Sequence, residues 1–201
     1  MFILSFFGQS SGAICIDQSG PAPQCGPMSF SARITRSPTP YDRARGADAV
    51  ALFPSAAPSV AELIGGAAGC SPYLAELLRR ETGWIMAALD DPEAAIADVL
   101  DAIPKIALND LTAKLRQAKR RVALLAGLAD LGGVWPLEKV TQVLSDFADA
   151  AVQAAITRLV AAEVARGKLP AGGDPADAGG MVVLAMGKMG AGELNYSSDI
   201  D

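Results

Sequence analysis

Histidine is absent from all 201 residues of the chain. That rules out a Ser-His-Asp or Cys-His nucleophile system and a His-ligated zinc site, so any catalysis rests on carboxylates, Lys, Arg, Tyr or a metal held by oxygen. Aromatics make up only 5% of the residues, whereas 51% are hydrophobic and much of that is alanine. Alanine is the best helix former and a poor strand residue, so packed helices are favoured over a β-sandwich. The three cysteines, Cys15, Cys25 and Cys70, are an odd number without metal-ligand spacing. They imply no disulfide framework, and the expected compartment is a reducing cytoplasm. A net charge of −5 speaks against a basic nucleic-acid-binding surface. No stretch approaches the ~18–20 continuous apolar residues of a membrane span. Met1–Gly8 is apolar but is interrupted by Ser5 and lacks the basic start of an export signal.

What is present divides the chain. Residues 1–27 carry no sustained period and are expected to be disordered, or to be upstream sequence translated from a misassigned start, with Met28 the natural alternative. Residues 28–58 are punctuated by Pro38, Pro40, Pro54 and Pro58, leaving room for one short helix near Gly46–Phe53. From 59 to 168 the texture is helical. Ser59 is placed to cap Val60–Ala68, and Ser71-Pro72 to open Tyr73–Leu89, with Leu74, Leu77, Leu78, Ile85 and Leu89 on one stripe. Asp91-Pro92-Glu93 repeats the device for a helix that turns Ile96, Val99, Leu100 and Ile103 inward and closes at Pro104. A long helix is expected from about Lys105 to Leu131, with Leu108, Leu111, Leu115, Ala118, Val122, Leu125 and Ala129 on its apolar face and Gly132-Gly133 as its stop. Another runs from Pro136 to near Gly167, with Leu137, Val140, Leu144, Phe147, Ala151, Ala155 and Leu159 inward. Short connections make this a helical bundle rather than a coiled coil. Lys114, Arg116, Lys119, Arg120 and Arg121 form a basic cluster whose ordinary meaning is a solvated face; the alternative is a docking surface. Trp84 and Trp135 are expected as core or interface anchors.

Residues 169–180 are a breaker-rich linker. Beyond it, Met181–Met186 is an apolar run with the length of a buried strand, followed by the glycine-rich Gly187–Gly192 and by Tyr196–Asp201, the approach to a second strand. In a strand, alternate side chains share a face, so Asp199 and Asp201 project together, roughly 7 Å apart, with Ile200 opposite. Such a pair can hold Mg²⁺, which keeps several waters and takes its other ligands from phosphate oxygens. A two-metal version, with ions ~3.5–4 Å apart, can stabilise attacking and leaving oxygens at phosphorus. Asp-x-Asp alone is equally a turn or a helix cap. The preceding loop adds weight, because glycines let backbone N–H groups approach phosphate and Lys188 adds positive charge; a tight turn explains each glycine separately just as well. Two better-known phosphate motifs fail. Met189 stands where a P-loop needs Ser or Thr, and Gly187-x-x-Gly190-x-Gly192 reverses the dinucleotide-binding order.

The run Met186-Gly-Lys-Met-Gly-Ala-Gly-Glu-Leu-Asn-Tyr-Ser-Ser-Asp-Ile-Asp201 resembles the nucleotidyltransferase signature of bacterial bifunctional glutamine synthetase adenylyltransferase/adenylyl-removing enzymes, members of the DNA polymerase β-like superfamily. Ten residues separate Lys188 from Asp199, and Lys188 replaces the small residue of the wider superfamily in agreement with this family. Glu193-Leu194-Asn195-Tyr196 and Ile200 resemble the first of the two copies of the domain that the family carries. The likeness covers 181–201, extends over about 60–168 and is missing from 1–27.

The fold this implies is mainly α, a helical bundle-like domain followed by the start of an α/β polymerase β-like nucleotidyltransferase domain at 181–201. The implied activity is adenylyl removal, in which orthophosphate cleaves AMP from a tyrosine of glutamine synthetase and releases ADP, while the second copy adds AMP from ATP. By resemblance Asp199 and Asp201 hold Mg²⁺, Gly187, Lys188 and Gly190 line the phosphate pocket, and Ser198 shapes the strand entry. The implied partners are glutamine synthetase, a PII-type signal protein and nucleotide, with no nucleic acid and no membrane. The third carboxylate of the superfamily does not occur before Asp201, so the 201-residue polypeptide is expected to be inactive by itself. The rival expectations are another polymerase β-like enzyme, such as a PII-protein uridylyltransferase, and a non-catalytic helical interaction module.

Overall fold

The computed structural model describes residues 28–170 and 180–196. The expected disordered start, the linker residues 171–179 and the segment 197–201 lie outside the described residues. As expected the chain is mainly α, with no strand among the described residues. The helices are α1 (Phe30–Arg33), α2 (Arg43–Ala51), α3 (Pro58–Cys70), α4 (Pro72–Arg80), α5 (Thr82–Asp90), α6 (Pro92–Ala102), α7 (Leu111–Leu131), α8 (Leu137–Ala165) and α9 (Gly187–Gly190).

Helix α7 is the centre. It packs against α3, α4, α5, α6 and α8, and every residue from Val122 to Ala129 is buried. The run Val-Ala-Leu-Leu-Ala-Gly-Leu-Ala carries no polar side chain, which is the pattern of a helix enclosed on all sides. The single apolar stripe expected from the sequence is therefore too narrow here: Leu124 and Leu128, off that stripe, are 0% exposed. Each fully buried leucine contributes about 1.5–3 kcal/mol relative to exposure. In α8 the opposite correction applies, because Leu137 and Leu159 of the expected face are exposed and Val143 and Val160 are buried instead.

Helix ends depart from the sequence expectations in four places. Pro58 opens α3 at N1, and Ser59 does not cap it; Ser59 Oγ donates to the Ser31 carbonyl at 3.3 Å. Ser71 does cap α4, accepting from Leu74 N at 3.2 Å, yet the expected Tyr73–Leu89 helix is two helices. Glu81 interrupts it with φ −111° and ψ 25°, and its carboxylate turns inward between Arg120 and Arg121 of α7, each Nε at 3.0 Å. Helix α7 starts at Leu111 and not Lys105, because Pro104 lies in a 3₁₀ turn, Ile103–Lys105, and Ile106 and Ala107 are extended before a second turn, Leu108–Asp110. The short helix expected near Gly46–Phe53 lies earlier, as α2 at Arg43–Ala51, capped by Asp42 Oδ1 accepting from Arg45 N at 2.9 Å.

The proline-rich segment before α3 is held by the helix ends it satisfies. Thr35 N donates to Gly132 O at 2.9 Å, and Arg36 Nη2 to Asp130 O at 2.8 Å, at the C-terminus of α7. Arg45 donates from Nε and Nη2 to Ala68 O and Gly69 O, at 2.8 and 2.7 Å, at the C-terminus of α3. Glycine permits the close approach: a Cβ on Gly66 would lie 2.0 Å from Pro38 O, and one on Gly46 2.6 Å from Gly65 O. From α1, Arg33 reaches Glu93 with two hydrogen bonds, at 3.0 and 2.7 Å, and Trp135 Nε1 donates to the same carboxylate at 2.8 Å.

Two outcomes follow. Glu81 is 4% exposed, so a variant carrying Arg120→Met and Arg121→Met leaves a buried carboxylate unpaired and loses about 3–5 kcal/mol, measured from urea midpoints. A loss below about 1 kcal/mol would show the ion pairs to be incidental. The Arg33 and Trp135 donors hold the Glu93 carboxyl at about 2, below the usual 4.5. A depressed carboxylate stabilises the fold above its unfolded pKa, and that stability is lost as pH falls from about 5 towards 2. Because 43% of its side chain is exposed, solvent screening limits the effect to about 1 kcal/mol. Thermal melts of Glu93→Gln are expected to lie below the wild type at pH 7 and to converge with it near pH 2.

Candidate functional site

The glycine-rich segment folds into a compact turn. Gly187 adopts φ +57° and starts α9, and Gly192 adopts φ +71° and ends the turn. Such angles are open to glycine without a steric penalty. Gly190 N donates to Met186 O at 3.2 Å, Ala191 N to Gly187 O at 3.1 Å, and Glu193 N to Lys188 O at 2.7 Å. Gly190 is also required by space, since a Cβ there would lie 2.5 Å from Ala185 O. The structure thus brings Gly187, Lys188 and Gly190 together in one turn, with the Lys188 side chain exposed. Ser198, Asp199 and Asp201 lie outside the described residues.

The expected strand Met181–Met186 is not a strand here. Its backbone forms no ladder, and Val182 and Leu184 are each 79% exposed. A strand exists only by pairing, and no described segment runs alongside to supply the other half of a ladder.

The segment after the turn docks on the helical body. Leu194 is 8% exposed and joins the core, with Met189 packed against it. Leu194 N donates to Ser145 Oγ at 3.2 Å, and Ser145 Oγ donates to Thr141 O at 2.9 Å within α8. Tyr196 forms a second hold. Burial, then the nearby charge of Asp130 and a hydrogen bond to it, push the phenol well above its usual value, although 48% of the residue remains exposed. Leu194, Asn195 and Tyr196 wall a cavity of about 270 Å³ against Val122, Leu144 and Phe147 of α7 and α8, with Lys119 at its edge.

The basic cluster divides. Arg120 and Arg121 are committed to Glu81, and Arg121 also lies over the Trp84 ring, 5.0 Å from its centroid. Lys114, Arg116 and Lys119 remain exposed. Sequence reasoning missed the Leu194–Ser145 contact entirely. A serine inside an otherwise apolar helical face, as Ser145 is between Leu144 and Ala148, is the signal that could have flagged it.

No group of three or more Asp, Glu, Cys or His side chains that could hold a metal occurs among the described residues, and none of the helices described is long and apolar enough to cross a membrane. The carboxylates at Asp199 and Asp201 are oxygen donors suited to a hard cation.

The described residues thus form a helical body that carries a glycine turn, and in the sequence an Asp-x-Asp pair follows that turn. The family model described as glutamate-ammonia ligase adenylyltransferase matches residues 56–201. The chain belongs to that family. Three similar proteins carry the name bifunctional glutamine synthetase adenylyltransferase/adenylyl-removing enzyme. One from Rhodopseudomonas palustris is 43% identical over 163 residues, 77% of this chain and 16% of its own length. One from Bradyrhizobium diazoefficiens is 46% identical over 149 residues, 69% and 15%. One from Xanthobacter autotrophicus is 41% identical over 176 residues, 84% and 17%. The chain therefore spans 15–17% of the length of these relatives. No solved structure matches it.

Gly190→Ala is expected to open the turn. The Ala191 and Glu193 amides then exchange with solvent about tenfold faster or more, while the α7 amides keep their protection. Unchanged exchange at Glu193 would mean that the turn accommodates a side chain.

Proposed function

We propose that the chain is part of an enzyme that removes AMP from a tyrosine of glutamine synthetase, with the site at the glycine turn and the Asp-x-Asp pair. The observation that carries this is the family match running through residues 187–201, together with the shape of the turn. An oxygen of orthophosphate attacks the AMP phosphorus, the bond from phosphorus to the tyrosyl oxygen breaks, the phenol regains a proton, and ADP leaves. Gly187 and Gly190 let the backbone come close to phosphate, and Lys188 places an exposed positive charge beside it. Ser198 shapes the entry to the carboxylate strand. Asp199 and Asp201 would hold Mg²⁺, which when bound offsets charge developing on the phosphoryl oxygens.

The longer polypeptide would also add AMP from ATP at a second site. It would work in the cytoplasm with glutamine synthetase and a PII-type signal protein, a setting in which Cys70 remains a free thiol. Membership of this family weighs against the uridylyltransferase alternative.

The test is release of ADP from adenylylated glutamine synthetase by a polypeptide of family length containing this chain. Release is expected to require both orthophosphate and Mg²⁺, and Asp199→Asn or Asp201→Asn should lower kcat at least about 100-fold. ADP release that is independent of orthophosphate, or that survives both substitutions, would sink the proposal.

A further inference from the structure

We propose that the cavity between α6 and the first half of α7 binds a small organic anion, a single carboxylate on a short apolar body. None of its lining comes from the glycine turn, and the proposal does not depend on the activity proposed above. The cavity has a volume of about 220 Å³ and is walled by the Trp84 ring of α5, by Ile103 and Ile106 after α6, and by Ala118 of α7. Sites for drug-sized molecules run to roughly 300–1,000 Å³, so this one suits something smaller.

Helix α7 supplies the polar side. Lys114, Gln117 and Arg121 stand three and four positions apart, on one stripe of that helix, and all three line the cavity. Arg121 is already held in place. Its Nε donates to Glu81 at 3.0 Å, and its guanidinium lies 5.0 Å from the centre of the Trp84 ring. Among the described residues its Nη groups have no hydrogen-bond partner. A guanidinium fixed at one end and open at the other is a preorganised donor for a carboxylate. Gln117 is half-buried, yet its amide has no partner among the described residues, and Lys114 forms no ion pair there. An amide so placed gains a hydrogen bond when a polar group enters the cavity.

Charge sets the ligand class. Glu81 and Arg120 offset each other, so Lys114 and Arg121 face the cavity against one carboxylate, Asp98 of α6. A monoanion restores neutrality. A more highly charged anion is opposed by Asp98, and bare phosphate makes no use of the apolar wall. The Trp84 ring and the two isoleucines then cover the apolar body of the ligand.

The test titrates the 201-residue chain with phenylacetate and follows the indole N–H resonances of Trp84 and Trp135, its two tryptophans. A saturable shift is expected at Trp84, with Kd on the order of 1 mM. Trp135, whose Nε1 is taken by Glu93, should not move. The melting temperature should rise with phenylacetate concentration. Lys114→Gln is expected to weaken binding about five- to tenfold, and Asp98→Asn to tighten it about two- to fivefold. Both side chains are exposed, so neither change threatens the fold. Phenylethanol (the body without the charge) and inorganic phosphate (the charge without the body) should each bind at least about tenfold more weakly. No saturable shift at Trp84, parallel shifts at both tryptophans, or binding untouched by Lys114→Gln overturns the proposal. Phosphate binding as well as phenylacetate overturns it too, since the apolar wall would then contribute nothing.

Discussion

Enclosure of α7 is the constraint on which the other elements depend. From Val122 to Ala129 the helix offers only apolar atoms in every direction, so the free-energy gain requires neighbours on all sides. Helices α3, α4, α5, α6 and α8 are those neighbours. The last carbonyls of the helix have no partners within it and need them from outside. Thr35 and Arg36 provide them at Gly132 and Asp130, which is why a proline-punctuated segment with little regular structure nonetheless has a defined path.

Two carboxylates, one buried and one exposed, join elements of this body. Glu81 breaks what would be one helix into α4 and α5 and ties the break to α7 through two arginines. Glu93 gathers Arg33 from α1 and Trp135 from the turn before α8. Apolar packing alone is tolerant of sliding between helices, whereas a buried carboxylate between two guanidinium groups is satisfied at one register only. These contacts therefore contribute to which arrangement forms as well as to how stable it is.

The same logic reaches the glycine turn. Its glycines decide its shape locally, through positive φ at Gly187 and Gly192 and the absence of a Cβ at Gly190. Its location is decided by the helical body, through Leu194 in the core and Ser145 on its N–H.

The sequence by itself determined what depends on neighbours in the chain. The helical character, the Ser71 and Asp91 caps, the stops at Pro104, Gly133 and Gly167, and the glycine-rich turn from Gly187 to Gly192 all rest on residues a few positions apart. Their physics is local: capping, φ restriction and helical period. Only the tertiary structure decided which side chains of α7 and α8 are buried, since that depends on how many neighbours surround a helix rather than on its own stripe. It also decided that Arg120 and Arg121 belong to Glu81 and not to a solvated face, and that Met181–Met186 lies open, because pairing and burial are properties of two segments at once. The Ser145–Leu194 bond belongs to the same class: neither residue announces the other, and only the packing of the whole body brings them within 3.2 Å.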